Sequence, residues 1–403
     1  MTATLTTANG VLKEVYEGSV TDQLTEQAVG IKRITRSSEG IFETPGGKYV
    51  VFPLHTKRNS GISYRPENTQ LGAAGRQGYQ QAQETLRYGY GRLKITGQAM
   101  SLAKTNAQAF INVLDGEMEG LKKDLTKDQN RIAWGNPGGW AATGGTGVIT
   151  RITTAGAAST IVTAPTLQLN IGDVIDITNN AGTPLAASTG LVITAIQSAT
   201  AFTVNVAVTN SIGDNVVRSG NWNQEPYGFT NLVSSTGTLH NINPVTAGNE
   251  YWKAALDDSA TTALTELAMI KMADAIRTAG GEYPSVIFCS LGVRRAYFSL
   301  MTSLRRYNEP KEFHGGLVGL SFMYEKDIPV VTDIDCPAGS MYMITEDQIT
   351  LYRDKDWYFE DTDGSVLKYV HDFDVFEALM KCYWQMVTHK RNSAGRFTAL
   401  VEP

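Results

Sequence analysis

A segment that is long, basic and glycine-rich, yet too poor in apolar residues to bury itself, has to fold against something else. Residues 44–104 are such a segment. They hold Lys48, Lys57, Arg58, Arg65, Arg76, Arg87, Arg92, Lys94 and Lys104 against Glu67 and Glu84, nine bases to two acids and a local net of +7. Two β-type runs, KYVVFPLHT and TLRYGYGRLKIT, flank a polar stretch punctuated by Gly61, Gly72, Gly75 and Gly78, which predicts a two-stranded hairpin with a long tip. A lone hairpin is at best marginally stable in water. Support must come from the rest of the 403-residue chain or from a neighbouring molecule. Residues 1–43, polar apart from a short amphipathic stretch between Val11 and Ile34, read as an arm with the same deficit.

The sequence changes character after the hairpin. Phe110, Ile111, Leu114, Met118, Leu121, Leu125 and Ile132 recur at helical spacing and predict one long helix from about Asn106 to Trp134, stopped by Gly135-Asn136-Pro137-Gly138-Gly139. Asp115, Glu117 and Glu119 precede Lys122, Lys123, Lys127 and Arg131, the order the helix dipole favours. No lysine then occurs between Lys127 and Lys253. Within this gap VIDIT, LVITAI, FTVNVAV and NVVRS are short β-runs between Gly, Asn and Asp turns, which mark 141–222 as an inserted all-β domain.

Beyond it the pattern is α+β. A helix from about Asp258, with Leu264, Leu267, Lys271, Ala275 and Ile276 along its length, ends at Gly280-Gly281; the strand SVIFC follows, then a helix carrying Val293, Tyr297, Leu300, Met301 and Leu304. LVGLSFMY, PVVTD, SMYMIT and ITLYR read as short strands. Phe376, Ala378, Met380, Cys382, Trp384 and Met386 alternate with Glu377, Leu379, Lys381, Tyr383 and Gln385, which predicts one long strand with a buried face.

Motifs for chemistry do not assemble. Cys289, Cys336 and Cys382 stand singly and read as buried thiols, and the five histidines never reach a metal-binding spacing. His314-Gly315-Gly316 lacks a nucleophile elbow to accompany it, and Asp361-x-Asp363-Gly364 lacks the rest of a calcium loop. Gly89-x-Gly91 lacks the third glycine of a dinucleotide fingerprint and reads as relief where strands cross. We therefore expect neither enzyme activity nor a cofactor. The N-terminus has no basic start and no apolar core of a signal peptide, and no apolar run reaches the ~18 residues of a membrane span, so neither secretion by that route nor a membrane anchor is expected.

The order of parts, an arm, a basic hairpin, a long helix and an α+β body ending in a long strand, resembles the major capsid proteins of tailed bacteriophages, the Hong Kong ninety-seven capsid fold. GFTNLV at 228–233 followed by HNINPVTAGNEYWKA at 240–254 is similar to a run in that family, as are PSVIFCSLGVRRAYFSLM, GLSFMYEKDIPVVTDIDCPAGSMYMIT and VFEALMKCYWQMVTHKRNSAGRFTAL. The insertion resembles one found in a subset of such proteins. The resemblance implies an N-terminal arm (1–43), an E-loop (44–103), a spine helix and P domain (104–140), the inserted β-domain (141–222), a region that is mainly A domain (223–370) and C-terminal P-domain strands (371–403). It implies hexamers and pentamers forming an icosahedral shell around double-stranded DNA, assembled in the host bacterial cytoplasm, with portal, scaffolding and decoration proteins as further partners. The short arm implies a separate scaffolding protein or none. An encapsulin-type nanocompartment is the alternative with the same fold.

Charge suggests how copies would meet. Asp354, Asp356, Glu360, Asp361, Asp363, Asp372, Asp374 and Glu377 stand against Lys355 and Lys368, a local net of −6. We expect the hairpin bases Lys48, Lys57, Arg58, Arg65, Arg76, Arg87, Arg92 and Lys94 to lie across these acids on a neighbouring subunit. The net charge of −5, with no basic cluster expected in the body, implies that packaged DNA is enclosed without being gripped.

Overall fold

The computed structural model describes residues 29–44, 47–98, 107–135, 146–163, 168–258, 262–304, 321–323, 327–361 and 365–403. The arm up to residue 28, Lys104, residues 136–139 of the expected helix stop, the His314 glycine pair, residues 317–320 and Tyr324 of the LVGLSFMY run, and Asp363 with Gly364 lie outside them.

The alternating C-terminal segment forms strand β20, Val375–Thr388, and buries Ala378, Met380, Cys382, Trp384 and Met386 as its period of two requires. Gln385 is buried as well, because its side-chain oxygen accepts a hydrogen bond from the Tyr227 N–H at 2.8 Å. One edge of β20 pairs antiparallel with β5, Arg87–Thr96, from Arg87 opposite Trp384 to Thr96 opposite Val375. The other edge takes β19 (Lys368–Tyr369), β18 (Tyr358–Phe359) and β17 (Ile349–Arg353) in turn, and β17 is itself paired with β1, Thr35–Ser37.

Helix α2, Ala107–Trp134, runs as the apolar spacing predicts and crosses β5 at Gly91. A Cβ added to Gly91 would stand 2.6 Å from Leu125 Cδ1, and one on Gly89 2.9 Å from the Trp357 ring. The Gly89-x-Gly91 pair thus relieves crowding under a helix and an indole, where a crossing of strands was expected. The chain leaves α2 through Gly135 at φ +76°.

The hairpin is built differently from expectation. Strand β3, Gly47–Lys57, pairs with β4, Gly78–Thr85, and with β2, Ile41–Thr44. TLRYGYGRLKIT is two elements: the chain turns at buried Leu86, whose N–H bonds to the Lys48 carbonyl, and β5 then leaves for β20. A run of β-formers shows no corner when the corner residue is itself apolar. Only the hairpin's base has a core, with Val50, Phe52, Ala82 and Leu86 packed on the body.

His240 makes that attachment. Its Nδ1 lies 3.1 Å from the Glu84 carboxylate, its Nε2 accepts the Thr388 N–H at 3.2 Å, and its carbonyl accepts the Gln83 N–H. Phe52 packs edge-on against both His240 and His389. Burial holds both imidazoles below the ordinary histidine range, against the pull of Glu84 on His240.

The insertion closes into a barrel. Strands β6 (Val148–Thr154), β7 (Gly156–Thr163), β8 (Val174–Thr178), β9 (Leu191–Ser198), β10 (Ala201–Asn210) and β11 (Asn215–Arg218) follow the order β10-β7-β6-β11-β8-β9. Ile152, Ile161, Ile175, Ile177, Phe202 and Val216 are among the side chains that fill it.

The remaining sheet has the order β12-β21-β16-β13-β15-β14. Its strands are β12 (Ala255–Asp257), β13 (Val286–Cys289), β14 (Ser321–Met323), β15 (Asp327–Thr332), β16 (Met341–Ile344) and β21 (Gly395–Phe397). One of the helices beside it spans Glu266–Gly280, with Thr265 accepting the Ala268 N–H at its start and Gly281 at φ +75° closing it. It starts later than the expected Asp258, after β12, and buries Met269, Met272, Ala273 and Ile276 while Leu267 is exposed. Of the expected stripe Ile276 is buried in the helix and Leu264 is buried ahead of its cap, whereas Leu267, Lys271 and Ala275 face solvent, because the helix starts at Glu266 and turns the Met269, Met272 and Ala273 face to the sheet. The other helix, Leu291–Leu304, buries Val293 and Tyr297 as expected. All three cysteines are buried and free, and burial pushes the Cys289 and Cys382 thiols up to about 12.

Two outcomes follow. Gly91→Val overfills the helix–strand crossing and should lower stability by about 1–3 kcal/mol, with Leu125→Ala in the same chain recovering part of the loss in urea unfolding. The depressed histidines make the hairpin base acid-sensitive. In the unfolded chain each protonates near about 6.5. Below that pH the unfolded state binds more protons, so the contribution is complete above about 6.5 and lost as pH falls toward the folded values. Unfolding curves between neutral and mildly acid pH should show this slope, and His240→Asn with His389→Asn should flatten it.

Candidate assembly surface

The surface on which the molecule can act is set by how the hairpin and the barrel are held. The barrel enters after Gly147 and leaves through residues 219–225, and the two strands of linker are tied together. Thr146 and Asn223 exchange hydrogen bonds: the Thr146 N–H donates to Asn223 Oδ1, and the Asn223 N–H to the Thr146 carbonyl. The Thr146 hydroxyl donates to the Glu225 carbonyl. A Cβ on Gly147 would lie 2.5 Å from the Asn221 carbonyl oxygen, and its φ of +93° is a glycine conformation.

A buried ion network fastens this joint to α2. Arg131 donates to Asp128 at 2.8 Å and to Glu225 at 2.8 Å, while Arg218, at the end of β11, reaches the other oxygen of Asp128 at 2.8 Å. Burial alone would lower the Arg131 pKa; Asp128 and Glu225 outweigh it and raise the pKa. Burial likewise pushes Asp128 up, and the two guanidinium groups more than reverse it. A second tether joins the barrel to the body where Gln168 donates to Asp335, whose neighbour Asp333 is buried and accepts from Asn130 and from the Gly30 N–H. In the sequence Arg131 stands out as a complement to the helix dipole. The Asp128-x-x-Arg131 spacing was the available signal for an ion pair, and the partners Glu225 and Arg218 lie too far along the chain to show.

The opposing charge clusters sort into two groups. Lys48 pairs with Asp354 at 2.8 Å and Arg92 pairs with Glu377, both within the one chain. Asp354, by hydrogen bond first, raises the Lys48 pKa. Lys94 sits opposite Glu377 on β5, and Arg87, half-buried, faces Tyr227. Asp356 is held by Arg353 and Glu360 by Lys381. The expected contact is thus partly internal, because β5 joins β20 and carries its bases to that strand's own acids. Lys57 at the end of β3, Arg58, Arg65 and Arg76 on the loop beyond it, and Asp361, Asp372 and Asp374, are exposed. The same loop displays Ile62, Tyr64 and Leu71 at 79%, 97% and 82% exposure. Among the described residues no group of His, Cys, Asp and Glu could hold a metal ion.

Arg131→Met would leave two carboxylates buried, one without a cation, and should destabilise the chain by about 3–5 kcal/mol in denaturant unfolding, with faster proteolysis in the 219–223 linker.

No protein-family model matches the sequence, and no curated protein matches it. Solved structures do. The chain is similar to the cyanophage A-1(L) capsid asymmetric unit at a TM-score of 0.61 and 14% identity, over 99% of each chain. The capsid of Myoviridae phage XM1 matches at 0.48 and 8% identity over 98% of each chain. A structure of Gordonia phage Cozz matches at 0.47 and 11% identity, over 100% of this chain and 96% of the other. With its long helix crossing a hairpin-fed sheet and its two-sheet body, the chain has the Hong Kong ninety-seven fold of phage capsid subunits, with a β-barrel added between helix and body.

Proposed function

We propose that the chain is the major capsid protein of a tailed bacteriophage and assembles as hexamers and pentamers into an icosahedral shell around double-stranded DNA. One observation carries the reading. The loop beyond the β3–β4 hairpin holds large apolar side chains almost fully in solvent, flanked by four bases, with a core only at its base. Such a surface is stable as part of a larger structure when a neighbouring copy covers it. The end-to-end likeness to a phage capsid subunit supports the same conclusion and favours a phage shell over an encapsulin-type compartment.

On this reading residues 1–43 are the N-terminal arm, 44–103 the E-loop, 104–140 the spine and P domain, 223–370 mainly the A domain and 371–403 the closing P-domain strands. The barrel lies on the outer face, where 141–222 finds room, and its first role is shell stability. The bases still available for a neighbour are Lys57, Arg58, Arg65 and Arg76, and the acids that receive them are Asp361, Asp372 and Asp374. Exposed pairs contribute about 0.2–1 kcal/mol each, enough collectively to steer and register two subunits.

Expressed with any scaffold it needs, the chain should form closed shells visible by negative-stain microscopy. Only monomers or dimers under assembly conditions would sink the reading. Arg58→Glu with Arg65→Glu and Arg76→Glu should block assembly of a folded subunit, and Lys at positions 361, 372 and 374 should partly restore it. Wild-type shell yield from the first triple variant would remove the electrostatic part of the proposal.

A further inference from the structure

The face of α2 turned away from β5 is strongly basic. Leu121 and Leu125 lie on the face that covers Gly91. About half a turn round the helix, Lys122, Lys123, Thr126 and Lys127 follow one another at the i, i+3, i+4 spacing of a single face. Helix α1, Val29–Arg33, packs across this face near its C-terminal end: Gly30 lies against the Trp134 ring and the Ile31 N–H bonds to Asn130. That docking brings Lys32 to the other four residues. The five enclose, with Glu119, an open groove of about 460 Å³.

Four lysines against one glutamate give the groove a net charge of +3. Glu119 is mostly exposed and reaches Lys123 at 3.8 Å. Asp124 on the same helix and Asp335 near Lys127 are the other acids close by. This basic cluster in the body departs from the expectation of none: along the sequence three of the lysines stand as one end of a helix dipole, and the fourth comes from a short helix some ninety residues earlier.

We infer that this groove binds the sugar–phosphate backbone of double-stranded DNA without reading sequence. The inference rests on the capsid reading for the identity of the polyanion. Its lining chooses between ligand classes. An acidic protein segment is normally held by buried aromatic or aliphatic anchors with charges at the rim, and none of the six lining residues is apolar. Lysine offers a mobile point charge, where arginine would offer the planar fork that matches a carboxylate. A phosphate backbone needs only such charges at adjustable positions, and its binding weakens with salt as counterions are released. Each copy grips weakly, so DNA can slide during packaging while many copies together line its path.

The test uses the full chain, unassembled, with a short random-sequence DNA duplex titrated between about 50 and 200 mM salt. Each lysine–phosphate contact contributes about −0.9 to the log–log salt slope. Lys32→Gln with Lys122→Gln and Lys127→Gln should therefore make the slope shallower by about 2 to 3 and shrink the affinity change across that range by about 40-fold. Lys32 and Lys122 are exposed and Lys127 is half-buried beside Asp335, so the variant's urea unfolding is compared with that of the parent chain and the slope is read on folded protein. The loop bases form a competing site, so the comparison is repeated in an Arg58→Gln, Arg65→Gln, Arg76→Gln background, where the same difference should persist. An unchanged slope in the lysine variant overturns the proposal. So does displacement of the duplex by polyglutamate at equal charge, which would assign the groove to an acidic protein. Shell formation is scored separately by microscopy: lysine-dependent binding by a chain that never forms shells counts for the groove and against the capsid reading.

Discussion

A strand of fourteen residues presents two rows of backbone donors and acceptors, and inside a protein both rows must be paired. Strand β20 meets that demand with β5 along one edge and with β19, β18 and β17 along the other. The rest of the architecture follows from the first of these pairings. Taking β5 commits the chain to leave its hairpin at Leu86, so the hairpin is anchored at its base and projects beyond it. It also places β5 beneath α2, where a side chain at position 91 would press on Leu125 and Leu121. Just past the end of β20, the buried Arg391 guanidinium donates to the carbonyls of Asn231, Leu232, Thr236 and Gly237, binding the GFTNLV turn to the same strand. Burial, with Arg396 nearby, lowers its pKa to about 9, so it is still charged at neutral pH.

The barrel obeys a different constraint. Its closed ring of strands leaves no long free edge that could template pairing with another molecule, a useful property on an exposed attachment. It is held by charge: Arg131, Asp128, Glu225 and Arg218 at the joint, with Gln168 and Asp335 as a second point. Buried ion pairs add little net stability compared with an apolar contact, but they reject misplacement strongly because any shift strands a charge. The network therefore fixes where the barrel points more than how tightly the chain folds.

What could be read in the sequence was what repeats along it. The alternation from Phe376 to Met386 gave the long strand, the spacing from Phe110 to Ile132 gave the helix, and the lysine-free β-runs marked the insertion. The failures share one cause, which is that partners chosen by tertiary structure leave no local period. Strand β6, VITRITT, buries Val148, Ile149 and Thr150 in succession and so shows no period of two, and β7, GAASTIVT, opens on small residues; both are paired only through the closed barrel. Leu86 looks like any strand residue until β5 is seen on β20. His240 read as an ordinary histidine, yet it sits at φ +53° and bonds to Glu84 and Thr388. For the assembly surface, the clusters of opposite charge were visible in the sequence, but their internal pairing was not, since Lys48 and Asp354 are 306 residues apart.

The linked ends of the barrel have a consequence for descent. Thr146 and Asn223 lie side by side, hydrogen-bonded to each other, so the whole insertion leaves and rejoins the chain at one place. A coding segment acquired or lost between those positions would alter the ornament without shifting the helix before it or the strands after it. The module could therefore be exchanged as a unit against an unchanged frame, and the charged residues around the junction, Asp128 and Arg131 on one side and Glu225 on the other, would decide which newcomers sit straight.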